Sequence, residues 1–404
     1  MRILVFNSGS SSLKFALVEV PERGPLSRVY DGAFEDAADG SGRLQLRSAA
    51  AMGAPRSPIR TPAEAAEFVI DALRSAQLPL ANALADIAAS AHRVVHGGDL
   101  FRVPTQLGDV ELAALARLSE LAPLHNPPAV SVITAVRLRL GPQVPAVGVF
   151  DTAYYADLPA AAARYAIPLQ WVSQYGVHRY GFHGIAHQYL CQAARARLAS
   201  GVEAERIISL QLGRGCSVTA TRGGRAIATS MGFTPLEGLV MGTRSGDVDP
   251  GALLYVMERS GLSAAQMRHA LNYESGLLGL SGRSADMRTL LEAEARTVAD
   301  AALAIEVFCR RARHYVAAYL SDLGGADLIV FGGGIGENSP AIRQRILSGL
   351  EWAGVQLDAE ANTRTLGMAA DIGARASRTA IQVIPVDEVS VIAQEAAALL
   401  RGGH

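Results

Sequence analysis

Twice in this chain an apolar strand runs into a short turn of glycine and serine and returns as a second strand. The first copy joins residues 3–6 to 15–19 through Asn7, Ser8, Gly9, Ser10, Ser11 and Ser12. The second, about two hundred residues later, joins 207–212 to 218–221 through Gly213, Arg214, Gly215, Cys216 and Ser217. Such a repeat points to an internally duplicated α/β fold that sets the two hairpin tips face to face across a cleft. The intervening sequence supplies the alternation this requires. Residues 63–73, 110–121 and 297–320 carry apolar side chains at helical spacing, and 145–150 and 328–331 read as buried strands. Ser339 before Pro340 marks a helix start, Val383, Ile384 and Pro385 a strand end, and 391–400 a closing amphipathic helix. Strands alternating with helices make the class α/β, and 404 residues ask for two domains.

Composition narrows the function classes. A net charge of -1 provides no basic face for nucleic acid. The apolar opening stops at Asn7, too early for a secretory leader, and no later run reaches the length of a membrane span. Three scattered cysteines, Cys191, Cys216 and Cys309, suit a reducing compartment and hold no zinc-site spacing. The expectation is a cytoplasmic protein with no membrane and no nucleic-acid partner. His183 and His187 have the spacing of a helical zinc pair but no nearby acidic base, so we expect no metal there.

The basic residues are almost all arginine. Lys14 is the one lysine among 37 Lys and Arg, and it ends the Ser-rich turn. An ammonium is a compact point charge where a guanidinium is a broad fork, so a retained lysine in such a turn suits a phosphate cradle. A surface lysine left on a hairpin by chance is the plain alternative. A Walker A loop is excluded, because that Lys follows Leu13 rather than Gly. Three glycine-rich strand ends, 7–14, 213–217 and 332–338, favour a nucleotide or polyphosphate ligand, since tight turns with open backbone N–H groups bind anions. Arg93, flanked by His92 and followed by Val94, Val95, His96, Gly97 and Gly98, and Arg244, between Gly242 and Gly246, suit bidentate binding of a carboxylate or phosphoryl group. Two ordinary surface arginines are the alternative; their glycine context separates them from the rest.

Taken together, residues 7–14, 92–98, 121–127, 149–153, 179–184, 230–238, 241–249 and 334–338 resemble the acetate kinase family, within the acetate and sugar kinase/Hsp70/actin superfamily. The resemblance implies a duplicated actin/Hsp70/sugar-kinase-like fold, with two domains around a nucleotide cleft. Residues 1–150 with 386–404 would form the first domain and 151–385 the second. The implied reaction is reversible transfer of the ATP γ-phosphoryl group to acetate, giving acetyl phosphate and ADP. By the same resemblance Arg93 and Arg244 hold the carboxylate and the moving phosphoryl, His183 donates to its oxygens, and Asp151 is the family's active-site aspartate. Asn7 and Glu388 place Mg²⁺ (or Mn²⁺), largely through water. Lys14, with Ser10 and Ser12, meets the nucleotide phosphates, as do Gln211, Leu212, Gly213, Arg214 and Gly215. Val95, Leu124, Phe182 and Pro235 form the methyl pocket. Asp286, Met287, Arg288, Gly334, Ile335, Gly336, Glu337 and Asn338 fall on the adenosine side, and a homodimer is implied. A carboxylate is already a nucleophile, so Asp151 is expected to orient its neighbours rather than accept a proton.

Two departures stand out. The family's second phosphate loop reads His-Leu-Gly-Asn-Gly, where this chain has Gln211-Leu212-Gly213-Arg214-Gly215. Ile185 and Ala186 replace the Thr-Ser that follows the family's Phe-His-Gly. Propionate or another short acid as acceptor, and pyrophosphate as donor, are the alternatives this leaves. A non-catalytic ATP-binding module of the same fold is a third, disfavoured by the complete acid-recognition set.

Overall fold

The computed structural model describes residues 1–9, 12–36, 42–46, 59–74, 86–198 and 204–402. They divide into two compact units, Met1–Ala156 with Asp387–His404, and Asp157–Val386.

The first unit holds β1 (Arg2–Ser8), β2 (Ser12–Glu19), β3 (Ser27–Asp36), β4 (Gly42–Leu46), β5 (Ile87–Val94), β6 (Thr105–Gln106) and β7 (Ala146–Phe150). Their order in the sheet is β4-β3-β2-β1-β5-β7-β6. β1, β2 and β3 pair antiparallel, whereas β1, β5 and β7 run parallel. Leu4 and Phe6 join a core with Phe15, Tyr30, Val69 and Val132, drawn partly from the helices Pro62–Arg74 and Asn126–Leu140. Ile3 and Val5 alternate with them and are equally buried. A strand covered on both faces reads as a continuous apolar run, which is why residues 3–6 are legible as sheet interior. The last helix, Glu388–Leu400, packs against β1, β5 and β7.

The second unit holds β8 (Arg206–Leu212), β9 (Cys216–Arg222), β10 (Arg225–Thr229), β11 (Leu328–Gly332), β12 (Ala370–Asp371) and β13 (Ala380–Val383). The sheet order is β10-β9-β8-β11-β13-β12, with β8, β9 and β10 antiparallel and β8, β11 and β13 parallel. This repeats β3-β2-β1-β5-β7 strand for strand in order and polarity. The duplication suggested by the two hairpins is therefore a duplication of topology. The helix Ala299–Leu323 presents Ala301, Ile305, Phe308, Ala312, Val316 and Tyr319 as a buried stripe at helical spacing and packs against β8 and β9.

Two local expectations shift. Residues 333–338 read as a glycine-rich turn, but Gly333–Asn338 is a short helix directly after β11. Gly333 makes the corner possible: its φ is +74°, and a Cβ there would lie 2.6 Å from the Leu212 carbonyl oxygen. The helix starting at Pro340 is present, yet the Ser339 side chain makes no capping hydrogen bond. All three cysteines are buried and none is in a disulfide. Among the described residues no helix is long and apolar enough to cross a membrane.

Candidate active site

In the first unit, sheet register lines up three of the sequence-predicted residues. Asn7 on β1 is paired with Lys14 on β2 and with Arg93 on β5, so lysine, amide and guanidinium form one row across three strands. Lys14 is exposed, and Asn7 is buried. The hairpin closes through a hydrogen bond from Gly9 N to Ser12 O at 2.8 Å. Ser10 lies outside the described residues, and Ser12 opens β2.

Arg93 is the hub of this row. Its Nη2 donates to Asp151 Oδ2 at 2.7 Å, its Nε reaches the same carboxylate at 3.2 Å, and its Nη1 donates to Asn7 Oδ1 at 3.2 Å. Asn7 Nδ2 in turn donates to Glu388 Oε2 at 2.5 Å. Asp151 is the residue immediately after β7 and is fully buried. Burial opposes the Arg93 charge, but Asp151 and then Glu388 outweigh it and hold the guanidinium above its ordinary pKa. Asp151 is thus committed to an ion pair and is poorly placed to act as a base. A guanidinium has five N–H donors, so these contacts leave two on the Nη atoms for a further oxygen pair. Glu388 begins the last helix, which Asp387 caps by accepting from Ser390 N at 3.1 Å. Val95 is buried and Leu124 is 37% exposed.

The second unit carries the other half of the predicted set. His183 caps the helix Gly184–Ala196 in the left-handed region, φ +57°, a conformation a non-glycine residue adopts only under local constraint. A Cβ on Gly215 would lie 3.3 Å from His183 Nε2 and 3.7 Å from Arg244 Nη1, so imidazole and guanidinium both meet the tip of the β8–β9 hairpin. Arg244 Nη1 donates to Pro235 O at 3.2 Å. It has no carboxylate partner among the described residues. Burial, more than any other influence, lowers its pKa; Cys216 and Tyr273 oppose the shift and Arg214 adds to it. A guanidinium seated on a neutral carbonyl, with no carboxylate partner among the described residues, can receive an anion.

The long segment carrying Arg244 has no regular element between Thr229 and Pro250 but is tightly braced. Met241 N donates to Arg244 O at 3.1 Å and Leu277 N to Met241 O at 2.9 Å. Gly276, φ +63°, sits so close that a Cβ would fall 2.3 Å from Met241 O. Arg179 ties residues 179–184 to 230–238, donating to Glu237 Oε1 at 2.6 Å and to Met231 O at 3.1 Å. Phe182 is buried and Pro235 half-buried.

Apart from Lys14, Ser10 and Ser12, the residues predicted on the nucleotide side lie in this unit. Gly332 pairs with Gln211, so the glycine-rich ends of β8 and β11 lie beside each other. Gly242 N donates to Arg214 O at 3.2 Å, and a Cβ on Gly242 would lie 3.2 Å from Ala285 O, which brings 214, 242 and 285 together. Arg214 is exposed, as is Arg288. Leu212 is buried, and Gln211 Oε1 is shut from solvent without a hydrogen-bond partner among the described residues. Two predicted residues have structural duties. Asp286 caps the helix Met287–Ala295 by accepting from Thr289 N and Arg288 N, which holds its carboxyl below the ordinary range; Met287 is buried. Glu337 Oε1 accepts from Gly333 N at 2.9 Å and Val386 N at 3.0 Å, locking the short helix that carries Gly334, Ile335, Gly336 and Asn338.

Sequence reasoning missed the supports. Arg343 is fully buried and donates to Gly336 O, Glu337 O, Asn362 Oδ1, Asn362 O and Thr365 O at 2.8–3.1 Å, so it buttresses the Gly334–Asn338 side. Burial brings its pKa down to about 10. One arginine among so many carries no sequence mark for this duty. Behind His183, Ser217, His187 and Ser209 form a buried hydrogen-bonded chain.

For the metal, the fit rests on few protein groups. Among the described residues no cluster of three or more His, Cys, Asp or Glu could hold an ion. Glu388 and Asn7 offer one carboxylate and one amide, a set that suits a cation retaining most of its water.

The acetokinase family model matches residues 2–394. An acetate kinase of Solibacter usitatus is 43% identical over 414 residues, covering 100% of this chain and 99% of its own. The acetate kinase of Porphyromonas gingivalis superposes with a TM-score of 0.86 at 34% identity over 99% of each chain. A propionate kinase from Francisella tularensis gives 0.84 at 36% identity over 98% of each. A match along almost the whole length, on a fold whose units carry the predicted arginines, histidine and glycine-rich ends, makes the chain a member of the acetokinase family.

Proposed function

We propose that the chain transfers the γ-phosphoryl group of ATP reversibly to acetate, giving acetyl phosphate and ADP. The observation that carries this reading is Arg244, a partly buried guanidinium without a carboxylate partner among the described residues, which meets a glycine hairpin tip together with His183 Nε2. Phosphoryl transfer passes through a loose transition state with charge spread over three oxygens, so positioned cations and N–H donors provide most of the catalysis.

In the first unit, Arg93 would hold the acetate carboxylate with its two remaining N–H groups. One carboxylate oxygen attacks phosphorus in line, and the bond to the ADP oxygen breaks. The nucleophile arrives ionised, so no side chain takes a proton, and Asp151 serves to fix Arg93. In the second unit, Arg244 and His183 would bind the oxygens of the moving group, and Phe182 and Pro235 would be apolar contacts for the acetate methyl group, as Val95 and Leu124 would in the first unit. Lys14, Ser10 and Ser12, with residues 211–215, would meet the donor phosphates. Residues 286–288 and 334–338 would meet adenosine. Mg²⁺, with Mn²⁺ as a substitute, neutralises donor phosphate charge when bound, and Asn7 and Glu388 would hold its water. Assembly as a homodimer is supported by family membership alone. A cytoplasmic location is supported by the ATP donor.

Hydroxamate trapping of the acyl phosphate tests the reading. Purified protein with Mg²⁺ is given acetate, propionate or butyrate, first with ATP and then with pyrophosphate. We expect trapping with acetate and ATP. A faster rate with propionate would reassign the acceptor, a signal only with pyrophosphate would reassign the donor, and no hydroxamate with any pair would overturn the proposal.

A further inference from the structure

Ser209, His187 and Ser217 are fully buried, and they end on His183. Ser209 Oγ lies 2.7 Å from His187 Nδ1, His187 Nε2 lies 2.7 Å from Ser217 Oγ, and Ser217 Oγ lies 2.9 Å from His183 Nδ1. Burial pushes the His187 pKa well below the ordinary value, so its imidazole is neutral. A neutral imidazole has one N–H and one lone pair, and each serine has one proton. The chain therefore runs in one of two senses.

In the first sense Ser209 donates to His187 Nδ1, His187 Nε2–H donates to Ser217, and Ser217 donates to His183 Nδ1. His183 then carries its proton on Nε2. In the second sense every donor reverses. The Ser209 hydroxyl turns to the Thr219 carbonyl at 3.5 Å, the outer edge of hydrogen bonding, and His183 carries its proton on Nδ1. Nε2 is the ring nitrogen on the Gly215 and Arg244 side. For a neutral His183, an anion held by Arg244 repels a lone pair there and accepts an N–H, which selects the first sense.

We propose that Ser217, backed by His187 and Ser209, holds His183 as the neutral Nε2–H tautomer, so that His183 donates to the phosphoryl oxygens without first becoming an imidazolium. The inference rests on the phosphotransfer reading above and assigns three positioning residues to it. It also gives the His183–His187 spacing a purpose: His183 faces the reacting group, and His187 sets the proton order behind it.

The test reads the tautomer directly. Protein labelled with ¹⁵N-histidine, carrying Mg²⁺, a non-hydrolysable ATP analogue and acetate, is examined at pH 7.5 by two-bond ¹H–¹⁵N correlation, with His183 assigned by its loss in His183→Gln. We expect protonated Nε2 and unprotonated Nδ1. A proton on Nδ1, alone or on both nitrogens, would overturn the inference. In parallel, Ser217→Ala should lower kcat about 10- to 100-fold, the usual cost of an outer support, while KM for acetate and ATP moves by less than about threefold. Ser217→Thr, which keeps the hydroxyl, should recover most of the rate, and an unchanged kcat in Ser217→Ala would overturn the assignment. If Ser217→Ala does not fold, the wild-type spectrum decides alone. A wild-type protein that makes no acetyl phosphate would refute the phosphotransfer reading instead, leaving the tautomer to the spectrum.

Discussion

Asn7 and Glu388 stand 381 residues apart in the chain and share a 2.5 Å hydrogen bond from amide to carboxylate. The strand that opens the chain and the helix that closes it thus meet at Arg93, which also donates to Asn7. Glu388→Gln keeps the shape and an acceptor for Asn7 but removes the charge. We expect the Mg²⁺ concentration for half-maximal acetyl phosphate formation to rise at least about tenfold, with stability changed by less than about 1 kcal/mol. A Mg²⁺ titration and a thermal melt check this; an unmoved titration places the metal elsewhere.

Arg93 and Arg244 differ in their counter-ions, and their surroundings predict opposite stability effects. Arg244 has no carboxylate among the described residues, so replacing it removes a desolvated charge that folding has to bury. Arg244→Gln should lower kcat/KM by about a thousandfold, the scale of losing one arginine on the transferring group. Its melting temperature should hold or rise. A melting temperature that falls together with activity would make Arg244 a structural brace.

Asp151→Asn leaves the Arg93 guanidinium partly buried and without its ion-pair carboxylate. Breaking one partner of a buried pair costs on the order of 3 kcal/mol. We expect a loss of about that size in urea unfolding, with kcat/KM reduced as Arg93 loses its fixed orientation. Wild-type stability in Asp151→Asn would show that Asn7 and Glu388 suffice to hold the guanidinium.

Arg214 adds a second cation near Arg244. Arg214→Asn should raise KM for ATP about three- to tenfold and leave KM for acetate nearly unchanged. Steady-state kinetics with each substrate varied in turn separate the two. Equal effects on both would remove Arg214 from the donor side.

How far the sequence revealed all this depends on the range of the forces involved. The two hairpins, the apolar strands and the long Ala299–Leu323 helix follow local periodicity, and they are where residues 3–6, 207–212 and 297–320 place them. The Gly333–Asn338 helix is invisible to local reasoning, because glycine is a poor helix former. It is held by Glu337 reaching Gly333 and Val386, and by Arg343 from the following helix. His187 illustrates the same limit. Its spacing from His183 is that of a helical metal pair, which the missing acidic base argues against, and only the fold brings Ser209 and Ser217 from neighbouring strands onto its two nitrogens. Their glycine context marks Arg93 and Arg244 in the sequence, but their contrasting counter-ions are a property of tertiary packing alone.

His92 gives a pH dependence whose sign can be worked out. It is buried, stacks on Phe6 with ring centroids 5.4 Å apart, and shares a 3.0 Å hydrogen bond with Ser90. Its Nδ1 has no partner among the described residues, and burial lowers its pKa to about 3 from 6.5. The unfolded chain therefore binds a proton that the folded chain refuses. The neutral His92 contributes its full stability above pH 6.5, and that contribution falls away as pH drops from 6.5 toward 3. Between pH 7.5 and 5.0 the loss from this one group should be about 2 kcal/mol. His187, lowered in the same direction, adds its own share, so the comparison must be between proteins that both retain it. His92→Phe keeps the ring stack and cannot titrate. Urea unfolding of wild type and His92→Phe at the two pH values should show the variant losing about 2 kcal/mol less; equal losses would mean that His92 takes up its proton within the folded sheet.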